Sequence, residues 1–291
     1  MSGPYEFAVV IPCFNEEDAV GETLEKLEHS LRGCGPHEVV FVDDGSTDRT
    51  SEVLAREVVK YPFARVVPHA RNLGYGAALK TGIRRTTAPL IVIADADGTY
   101  PFNRIPDLLE AVRSCDMAVG ARTGANVTYS FVRKIPKVFM KAYMSWLAGQ
   151  PIPDMNSGLR VFRRGAVERF LKILPNTFSF TTTVTLAMMR NRYDVTFIPI
   201  DYSGRIGKSK IKPVQDTIRF TQLIVRTGMY FAPLRVLLPI SVILFLLACG
   251  TVAYDVIILD NLTDKSVLLF TSSMNVGIFA LLADMIDKRS P

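Results

Sequence analysis

Two long uncharged segments near the end of this chain limit its possible folds more than any other feature. No charged residue occurs within 236–254 or within 266–283. At a helical rise of about 1.5 Å per residue, each segment can cross a hydrocarbon core of about 30 Å. Both segments are densely aliphatic and carry no amphipathic stripe, so two buried core helices are the weaker interpretation. The sequence therefore predicts a transmembrane hairpin with spans at about 235–256 and 266–286.

Basic residues at the two ends of this hairpin predict its orientation. Arg226 and Arg235 precede the first span, and Lys288 and Arg289 follow the second. The connection at 260–264 is too short to be more than a hairpin tip. Because short loops rich in lysine and arginine tend to stay in the cytoplasm, we expect both termini and the N-terminal domain on the cytoplasmic side of the cell (inner) membrane.

The first 212 residues show the pattern of an α/β domain. Short apolar runs, each followed by a polar turn, alternate with segments whose apolar residues recur at helical spacing. This alternation predicts a Rossmann-like, doubly wound and mostly parallel sheet. The predicted strands are 7–11, 39–42, 65–67, 90–94 and 117–121. The segment that follows the domain, 213–232, has polar residues along one side and is predicted to be an amphipathic helix in the membrane interface.

The acidic pair Asp95 and Asp97 is the first candidate for chemistry, because it directly follows the apolar run 90–94. Gly98 and Pro101 end the strand, so the carboxylates are expected at its carboxyl end, where open α/β sheets bind ligands. Residues two apart on an extended chain share a face, and such hard oxygen donors suit Mg²⁺ or Mn²⁺ bridging to the phosphates of a substrate. The alternative is a solvated Asp-x-Asp turn without a metal ion.

Two other turns carry candidate residues, and each has a structural alternative. Asp43 and Asp44 end the second predicted strand, where an ordinary Asx turn is common. The turn 74–76 contains the first two glycines of the dinucleotide-binding fingerprint G-x-G-x-x-G. That fingerprint is expected in the first strand–helix unit, whereas this turn lies in the third, and Leu79 takes the place of the third glycine. Close packing of helix against strand is therefore the preferred explanation for these glycines, and phosphate binding is the alternative.

Several of these features, in the same order and spacing, resemble the N-terminal motifs of inverting family 2 glycosyltransferases of the GT-A fold. The matching segments are 11–16, 42–48, 72–74 and 95–97, and the resemblance covers nearly the whole of the first 212 residues. It implies a nucleotide pocket, with Asp44 on the base, and a divalent ion, Mg²⁺ or Mn²⁺, on the donor diphosphate. The residues implied for donor binding are Pro12, Asn15, Glu16, Asp44 and Asp95, and those for the metal are Asp95 and Asp97.

Basic segments further along the chain predict contacts with phosphate groups. Segment 131–147 places lysines and aromatics at helical spacing, which is typical of a helix on a membrane surface, although a solvated lysine stripe over a core-facing helix explains the same pattern. Segment 201–210 combines cations with glycines, whose backbone amides can approach an anion; the alternative is a flexible basic loop. It resembles the loop over the donor and acceptor phosphates in polyprenyl-phosphate members of the family. The phosphate- and acceptor-binding candidates are Arg122, Arg133, Lys137, Arg205, Lys208, Ser209 and Lys210.

Segment 153–160 contains a further acidic candidate, Asp154. The segment resembles the acceptor-side motif of the same family, in which an aspartate lies beside the sugar and the nucleophile. A capped turn between two helices explains it equally well, and whether Asp154 is a base or orients the sugar is left open. With Asp97, Arg122 and Arg205, Asp154 completes the predicted catalytic set.

Taken together, the N-terminal domain and the hydrophobic hairpin resemble the polyprenyl-phosphate glycosyltransferases, the group that contains dolichyl-phosphate mannose synthase. The resemblance implies metal-dependent, inverting transfer of one hexose from a UDP- or GDP-linked sugar to a polyprenyl phosphate at the cytoplasmic face of the bilayer. The net charge of +6 agrees with anionic partners of this kind. No nucleic-acid partner is expected, and the oligomeric state, a homo-oligomer included, is left open.

Three alternatives and two departures from the family pattern accompany this prediction. The alternatives are a membrane-anchored family 2 enzyme with another lipid or polysaccharide acceptor, a nucleotidyltransferase that makes nucleotide sugars, and a non-catalytic membrane scaffold with a GT-A domain. A nucleotidyltransferase would not need a hairpin anchor. Thr99 stands where dolichyl-phosphate mannose synthases commonly have glutamine, which leaves the third protein ligand of the metal open. Lys137 stands where that group often has a small hydroxyl residue, so the acceptor contacts and the donor sugar are not carried over from the resemblance.

Overall fold

The structure, a computed structural model, describes residues 4–123, 134–202, 225–226 and 228–289, and describes no side chains at 134–140 and 287–289. The chain divides into two compact units, residues 1–212 and 213–291. The first unit holds a mixed α/β domain, and the second holds two long apolar helices.

A seven-stranded sheet with the order β3-β2-β1-β4-β6-β5-β7 forms the centre of the first unit. Its strands are β1 (Phe7–Cys13), β2 (His37–Asp43), β3 (Ala64–Pro68), β4 (Leu90–Ile93), β5 (Met117–Ala121), β6 (Arg160–Arg163) and β7 (Val195–Pro199). All neighbouring strands are parallel except β6, which is antiparallel to both β4 and β5. The prediction of a mostly parallel α/β sheet is therefore confirmed.

The register of β6 brings several loops to one edge of the sheet. Arg160, the first residue of β6, pairs with Ile93, the last residue of β4, and with Val119 in β5. Because β6 runs opposite to its neighbours, the chain entering β6 lies at the same edge as the chain leaving β4 and β5. The ends of β1 and β2 lie there too, since both strands are parallel to β4. We call this the carboxyl edge.

The central strands form where the chain is buried on both faces. Every residue of β1 and of β5 is buried, as in sheets with helices on either side. The strand predicted at 7–11 continues in the structure to Cys13. Pro12 lies beyond Val10, the last residue of β1 that pairs with β4, so its missing backbone donor breaks no bond to β4.

Helices cover both faces of the sheet. Val9 shares a core with Leu24 and Leu27 of the first helix, whereas Val10 lies against Gly82 of the third. Since successive strand residues point to opposite faces, the two helices lie on opposite sides. The helices of this unit are α1 (Val20–Leu31), α2 (Thr50–Val58), α3 (Tyr75–Arg85), a 3₁₀ turn (Phe102–Arg104), α4 (Ile105–Ala111), α5 (Lys134–Ala148), α6 (Arg164–Glu168) and α7 (Phe180–Arg190).

Two predicted amphipathic helices are only partly covered by the structure. The helix predicted at 131–147 corresponds to α5, and its first residues, 131–133, lie outside the described part. Of segment 213–232, only 225–226 and 228–232 are described. Its placement in a membrane interface therefore stays a prediction.

The second unit is a helical hairpin. Helix α8 (Pro233–Tyr254) continues through a π-helical turn (Asp255–Leu259), and α9 (Asp264–Arg289) returns. Residues 233–259 and 264–286 are long and apolar enough to span a membrane, with mean hydropathies of 2.6 and 1.8. Most of their large apolar side chains are exposed within this unit, unlike those of a core helix.

A buried carboxylate fixes the tip of the hairpin. Asp255 accepts hydrogen bonds from the N–H of Thr263 at 3.0 Å, from the Thr263 hydroxyl at 2.5 Å and from the Ser266 hydroxyl at 2.6 Å. These bonds supply partners at the start of α9, where backbone N–H groups have no partner within the helix. Asp260 reverses the chain in a left-handed conformation, with φ +48°.

Candidate active site

The acidic pair lies at the carboxyl edge, just after β4. Strand β4 ends at Ile93, so Asp95 and Asp97 stand in the turn that follows it. The hydroxyl of Tyr75, the first residue of α3, donates to Asp95 Oδ1 at 2.8 Å. The N–H and the hydroxyl of buried Thr99 donate to Asp97 Oδ1 at 3.2 and 2.6 Å. Each carboxylate is therefore oriented by a neighbouring donor.

The oxygen donors of this pair fit a hard divalent cation. Asp95 and Asp97 are both half-buried, and Mg²⁺ is typically bound through one or two carboxylates together with substrate phosphates. Among the described residues, no group of three or more His, Cys, Asp and Glu side chains could hold a metal ion. Within the part of the chain that the structure describes, a cation here would be held by Asp95 and Asp97. Thr99 uses its hydroxyl to orient Asp97.

A glycine lets a second loop approach Asp95. A Cβ atom at Gly158 would overlap Asp95 Oδ2, so the glycine leaves room for the carboxylate in its observed position. The N–H of Gly158 donates to the hydroxyl oxygen of buried Tyr100 at 2.6 Å. Burial raises the pKa of Tyr100, and the nearby Asp95 charge raises it further, so the phenol stays neutral. The loop that enters β6 and the acidic pair thus form one continuous site.

The same loop carries Asp154, which pairs with the first residue after β5. Arg122 Nε donates to Asp154 Oδ2 at 2.7 Å, and Nη2 donates to Oδ1 at 2.9 Å. The N–H groups of Arg122 and Asn156 add bonds of 3.0 and 3.1 Å. Burial acts to raise the pKa of Asp154, but the hydrogen bonds and charge of Arg122 outweigh it and lower the pKa to about 2. Asp154 is therefore an ionised partner of Arg122, with little tendency to accept a proton at neutral pH.

Aromatic rings hold Arg122 from the other side. Its Cζ lies 5.1 Å from the centre of the Tyr202 ring, which in turn meets the edge of Tyr100 at 5.3 Å. Burial acts to lower the pKa of Arg122, but the pair with Asp154 outweighs it and raises the pKa, so the guanidinium stays charged. A fixed, charged guanidinium at this edge can bind a phosphate with two parallel hydrogen bonds.

A second arginine, Arg160, is fully buried and donates hydrogen bonds to the same loop. Its Nε donates to the Ser157 carbonyl at 2.8 Å and its Nη2 to the Met155 carbonyl at 2.8 Å. Its Nη1 donates to the Thr185 hydroxyl of α7 at 2.5 Å. Burial lowers the pKa of Arg160 to about 10, and the Asp154 charge limits the fall. One side chain therefore ties the loop that carries Asp154 to β6 and α7.

The turn after β1 is tied to the loop after β2. The N–H of Thr47 donates to Asn15 Oδ1 at 2.8 Å, and the N–H of Asn15 donates to Ser46 Oγ at 3.1 Å. The N–H of Glu16 donates to Thr50 Oγ1 at 2.9 Å. This places Asn15 and Glu16, with Pro12 at the end of β1, beside the loop that begins at Asp43. That these residues bind a nucleotide stays a prediction.

The two aspartates after β2 have separate structural partners. Asp43 Oδ1 accepts from the N–H and the hydroxyl of Ser46 at 3.0 and 2.6 Å, three residues on rather than the two of the Asx turn considered as the alternative. Buried Asp44 is hydrogen-bonded to His69 Nδ1 at 2.7 Å and accepts from the N–H groups of Leu73 and Gly74 at 2.9 and 2.8 Å. Three of the about four acceptor positions of this carboxylate are used in these bonds, and the Asp44 side chain is only 3% exposed.

The glycines of the 74–76 turn serve a close backbone contact. A Cβ atom at Gly74 would overlap the carbonyl oxygen of Asn176, and one at Gly76 would overlap that of Pro175. The N–H groups of Gly76 and Ala77 donate to the Asn176 carbonyl at 2.9 and 3.3 Å. The partner is thus the loop before α7 rather than a strand, and Gly74 additionally has φ +101°.

Seven residues were predicted to bind phosphate, and the structure describes the side chain of one of them. Arg122 is the member of that set whose side chain the described residues include, and it lies at the carboxyl edge. Lys137 belongs to α5, but its side chain is not described. The remaining members lie outside the described residues: Arg133, Arg205, Lys208, Ser209 and Lys210.

The structure also adds residues that the sequence analysis missed. Tyr75 and Tyr100 contact the acidic pair or the loop beside it, and Arg160 braces that loop. Arg160 had a signal in the sequence, because a lone charge inside the apolar run 159–162 indicates a buried, partnered group. The two tyrosines had no comparable signal, since their contacts join parts of the chain that are distant in sequence.

Comparison with known families extends these observations. The family model described as glycosyl transferase family 2 matches residues 8–171, and the model described as GtrB C-terminal hairpin matches residues 232–288. The first match includes the strands from β1 to β6 with the acidic pair and Asp154, and the second includes α8 and nearly all of α9.

Individual relatives agree with both matches. Dolichyl-phosphate hexose transferase from Haloferax volcanii is 30% identical over 210 residues, which are 72% of this chain and 87% of that protein. Undecaprenyl-phosphate 4-deoxy-4-formamido-L-arabinose transferase from Pseudomonas fluorescens is 31% identical over 244 residues, 79% of this chain and 66% of that protein.

Solved structures show the same fold at lower identity. Glucosyl-3-phosphoglycerate synthase from Mycobacterium tuberculosis, in complex with Mn²⁺, UDP-glucose and phosphoglyceric acid, aligns with a TM-score of 0.59 and 16% identity, covering 77% of this chain and 79% of that one. At this level of identity the likeness shows the fold alone.

Proposed function

This chain belongs to glycosyl transferase family 2, and we propose from this premise that it transfers one hexose from a nucleoside diphosphate sugar to a polyprenyl phosphate. One observation carries the proposal. The same chain contains an acidic pair and an arginine held by Asp154 at one edge of the sheet, and a C-terminal hairpin of the GtrB type. The relatives named above are, by name, transferases of dolichyl or undecaprenyl phosphate.

The donor nucleotide, UDP- or GDP-linked, is proposed to bind where the ends of β1 and β2 meet. The turn that carries Pro12, Asn15 and Glu16 is proposed to line the base and ribose pocket, and Asp44 is proposed to contact the base. The diphosphate then lies toward Asp95 and Asp97, one strand further along the same edge. When bound there, Mg²⁺ or Mn²⁺ would neutralise the charge that develops on the departing diphosphate.

The acceptor phosphate is proposed to bind Arg122. A phosphate monoester has a second pKa near 6, so its oxygen is already largely ionised at neutral pH and no strong base is needed. Asp154, with a pKa of about 2, suits the role of a positioning residue for Arg122 rather than that of a base. The other proposed phosphate ligands are Arg133, Lys137, Arg205, Lys208, Ser209 and Lys210.

The reaction is proposed to be a single displacement with inversion. A phosphate oxygen of the acceptor forms a bond to the anomeric carbon, while the bond from that carbon to the diphosphate breaks on the opposite face. The electron pair of the broken bond leaves with the nucleoside diphosphate. The residues at the carboxyl edge hold the two phosphates in place, and such positioning can supply several kcal/mol of the barrier, up to about 7–11 in favourable cases.

The hairpin is proposed to anchor the enzyme in the cell (inner) membrane, with both termini and the catalytic domain on the cytoplasmic side. Two helices long enough to span a membrane support the anchoring. The basic residues Arg226, Arg235, Lys288 and Arg289 at the open end of the hairpin support the orientation. The acceptor phosphate and the soluble donor would then meet on the same side.

The test uses the full chain in lipid nanodiscs with Mg²⁺ or Mn²⁺. UDP-glucose, UDP-galactose, GDP-mannose and related sugars are each offered with a short polyprenyl phosphate, and both released nucleotide and sugar-linked lipid are measured. We expect turnover of one donor that requires the cation and the lipid phosphate together, with an inverted anomeric centre in the product. The matched control is the polyprenol of the same length, which lacks the phosphate and is expected to be inert.

The alternatives give different results in the same assay. Transfer to the polyprenol, or growth of a polysaccharide without lipid phosphate, would favour another acceptor. A folded protein that releases no nucleotide from any sugar would favour the scaffold.

A further inference from the structure

Phe178 is a large apolar side chain that is 81% exposed on a firmly anchored loop. The loop precedes α7 and docks on the start of α3. Lys80 Nζ donates to Asn176 Oδ1 at 2.8 Å and also to the Leu174 carbonyl. With the backbone bonds from the 74–76 turn to Asn176, these contacts fix the position of the ring although solvent surrounds most of it.

The exposed ring is joined to the acidic pair through one intermediate residue. Phe178 stacks on Tyr75 with ring centres 5.1 Å apart and planes inclined by 20°. Tyr75 in turn donates its hydroxyl to Asp95 Oδ1 at 2.8 Å. A chain of contacts therefore leads from the Asp95 carboxylate through Tyr75 to the exposed ring of Phe178.

We propose that Phe178, stacked on Tyr75, is a platform for the pyranose ring of the donor sugar and helps to determine which sugar is accepted. This inference rests on the function proposed above, in which Asp95 lies at the donor diphosphate. The sugar is bonded directly to that diphosphate, so its ring must lie close to Asp95. The CH groups of one pyranose face lose contact with water against an aromatic ring, while the hydroxyls stay available to polar neighbours.

The surroundings of Phe178 favour a sugar over a lipid or a protein partner. Its neighbours in sequence, Asn176, Thr177 and Ser179, are polar and offer hydroxyl and amide groups. A lipid-contacting surface of this chain looks different, since α8 and α9 expose many large apolar side chains along their length. A fixed aromatic ring flanked by hydrogen-bonding groups is typical of small-molecule sites.

The experiment compares binding of a nucleotide sugar with binding of its nucleoside diphosphate. The full chain in nanodiscs is titrated with UDP-glucose and UDP, and with GDP-mannose and GDP, in Mg²⁺ and without acceptor lipid. Phe178→Leu keeps the apolar bulk and removes the ring, and Phe178→Trp keeps a ring. Val59→Ala is the matched control, because Val59 is 83% exposed at the end of α2, away from the described site.

For the pair that the wild type binds, we expect Phe178→Leu to weaken binding of the nucleotide sugar about two- to tenfold, as loss of a ring contact should. Binding of the nucleoside diphosphate should not change, Phe178→Trp should retain the wild-type affinity for the sugar, and Val59→Ala should alter neither.

If Phe178→Leu weakened binding of the nucleotide sugar and of the nucleoside diphosphate equally, or changed neither, Phe178 would not be a platform for the sugar. The proposed transferase function would not be affected by that result. An effect confined to the KM for polyprenyl phosphate in the coupled assay would also overturn the platform, since it would place Phe178 at the lipid. If the wild type binds no nucleotide sugar in either pair and transfers none, the proposed function itself fails.

Discussion

Arg122 and Asp154 form a two-point ion pair between the end of β5 and the loop that enters β6, with nitrogen–oxygen distances of 2.7 and 2.9 Å. Their side chains are only 16% and 8% exposed. In such a place the carboxylate offsets much of the cost of removing the guanidinium from water. The pair therefore keeps the charged Arg122 guanidinium at the sheet edge where the proposed chemistry occurs.

Replacing Asp154 should misplace Arg122 and lower turnover, while binding of the donor is retained. Asp154→Asn keeps the shape of the side chain but removes the charge, so Arg122 becomes a buried, unpaired cation. We expect kcat to fall about 10²-fold through misplacement of Arg122, and the protein to lose about 3–5 kcal/mol of stability. Steady-state kinetics and thermal unfolding in detergent measure both effects.

The control is an exposed pair. Glu110→Gln breaks the Arg113–Glu110 contact, whose side chains are 77% and 70% exposed. Contacts of this type contribute about 0–1 kcal/mol, so little should change. An Asp154→Asn enzyme with wild-type kcat would show that Arg122 needs no carboxylate.

The fall in rate at low pH should come from protonation of the acceptor phosphate and not from protonation of Asp154. The pKa of Asp154 is lowered from 3.8 to about 2 in the folded protein. Its stabilising effect is thus complete above about pH 4 and is lost as the pH falls toward 2, below the range of an activity assay. Between pH 5 and 9, kcat/KM should fall only where the acceptor phosphate gains a proton, near pH 6.

A change of acceptor separates these two sources. A polyprenyl phosphonate with a higher second pKa should move the acid limb of the pH–rate profile to higher pH by the same amount. A limb that stays in place with the new acceptor would indicate a titrating protein group instead.

The sequence predicted the carboxyl edge well, for a simple reason. Asp44, Asp95 and Arg122 each follow a short apolar run, and a run of that kind predicts a buried parallel strand whose end is the position of the next polar residue. Parallel strands place their ends together, so the local pattern was enough to bring these residues to one edge.

Strand β6 could not be found in this way. Its four residues, Arg-Val-Phe-Arg, begin and end with a charge, so the apolar residues on either side of Arg160 are too few and too interrupted to predict a strand. Arg160 is buried only because two carbonyls of the preceding loop and a hydroxyl of α7 accept its hydrogen bonds. Such contacts are tertiary, and neither periodicity nor composition contains them.

Thr99 should act on the metal through Asp97. Its hydroxyl and N–H both donate to Asp97 Oδ1, and the side chain is buried. Thr99→Val keeps the shape and removes the hydroxyl, so we expect the Mg²⁺ or Mn²⁺ concentration for half-maximal activity to rise about 10- to 100-fold. Thr99→Ser, which keeps the hydroxyl, should stay near wild type.

An unchanged metal requirement in Thr99→Val would show that the Asp97 orientation does not depend on Thr99.

Asp97→Ala should abolish turnover while membrane insertion is retained. Activity in Asp97→Ala would remove Asp97 from the metal site.

Cysteine labelling should locate the hairpin tip outside the cytoplasm. Leu262 lies at the tip and is 53% exposed, whereas Glu25 lies on the exposed side of α1. In a background without the native cysteines, Leu262→Cys should react with a membrane-impermeant maleimide in intact spheroplasts of a bacterial host. Glu25→Cys should react only after the membrane is permeabilised. The reverse pattern would place the catalytic domain on the other side.

Gly158 should be required for the acidic pair but not for the fold. A Cβ at this position would overlap Asp95 Oδ2, which is the end of a side chain and can move away, so Gly158→Ala should fold with Asp95 displaced. We expect a large loss of kcat and a higher metal requirement, with little change in melting temperature. Gly165→Ala is the matched control, because a Cβ there meets no atom within 4 Å and alanine favours a helix by about 1 kcal/mol over glycine. If both variants kept full activity, Asp95 would not need the position that Gly158 leaves open, and its assignment to the metal would fall.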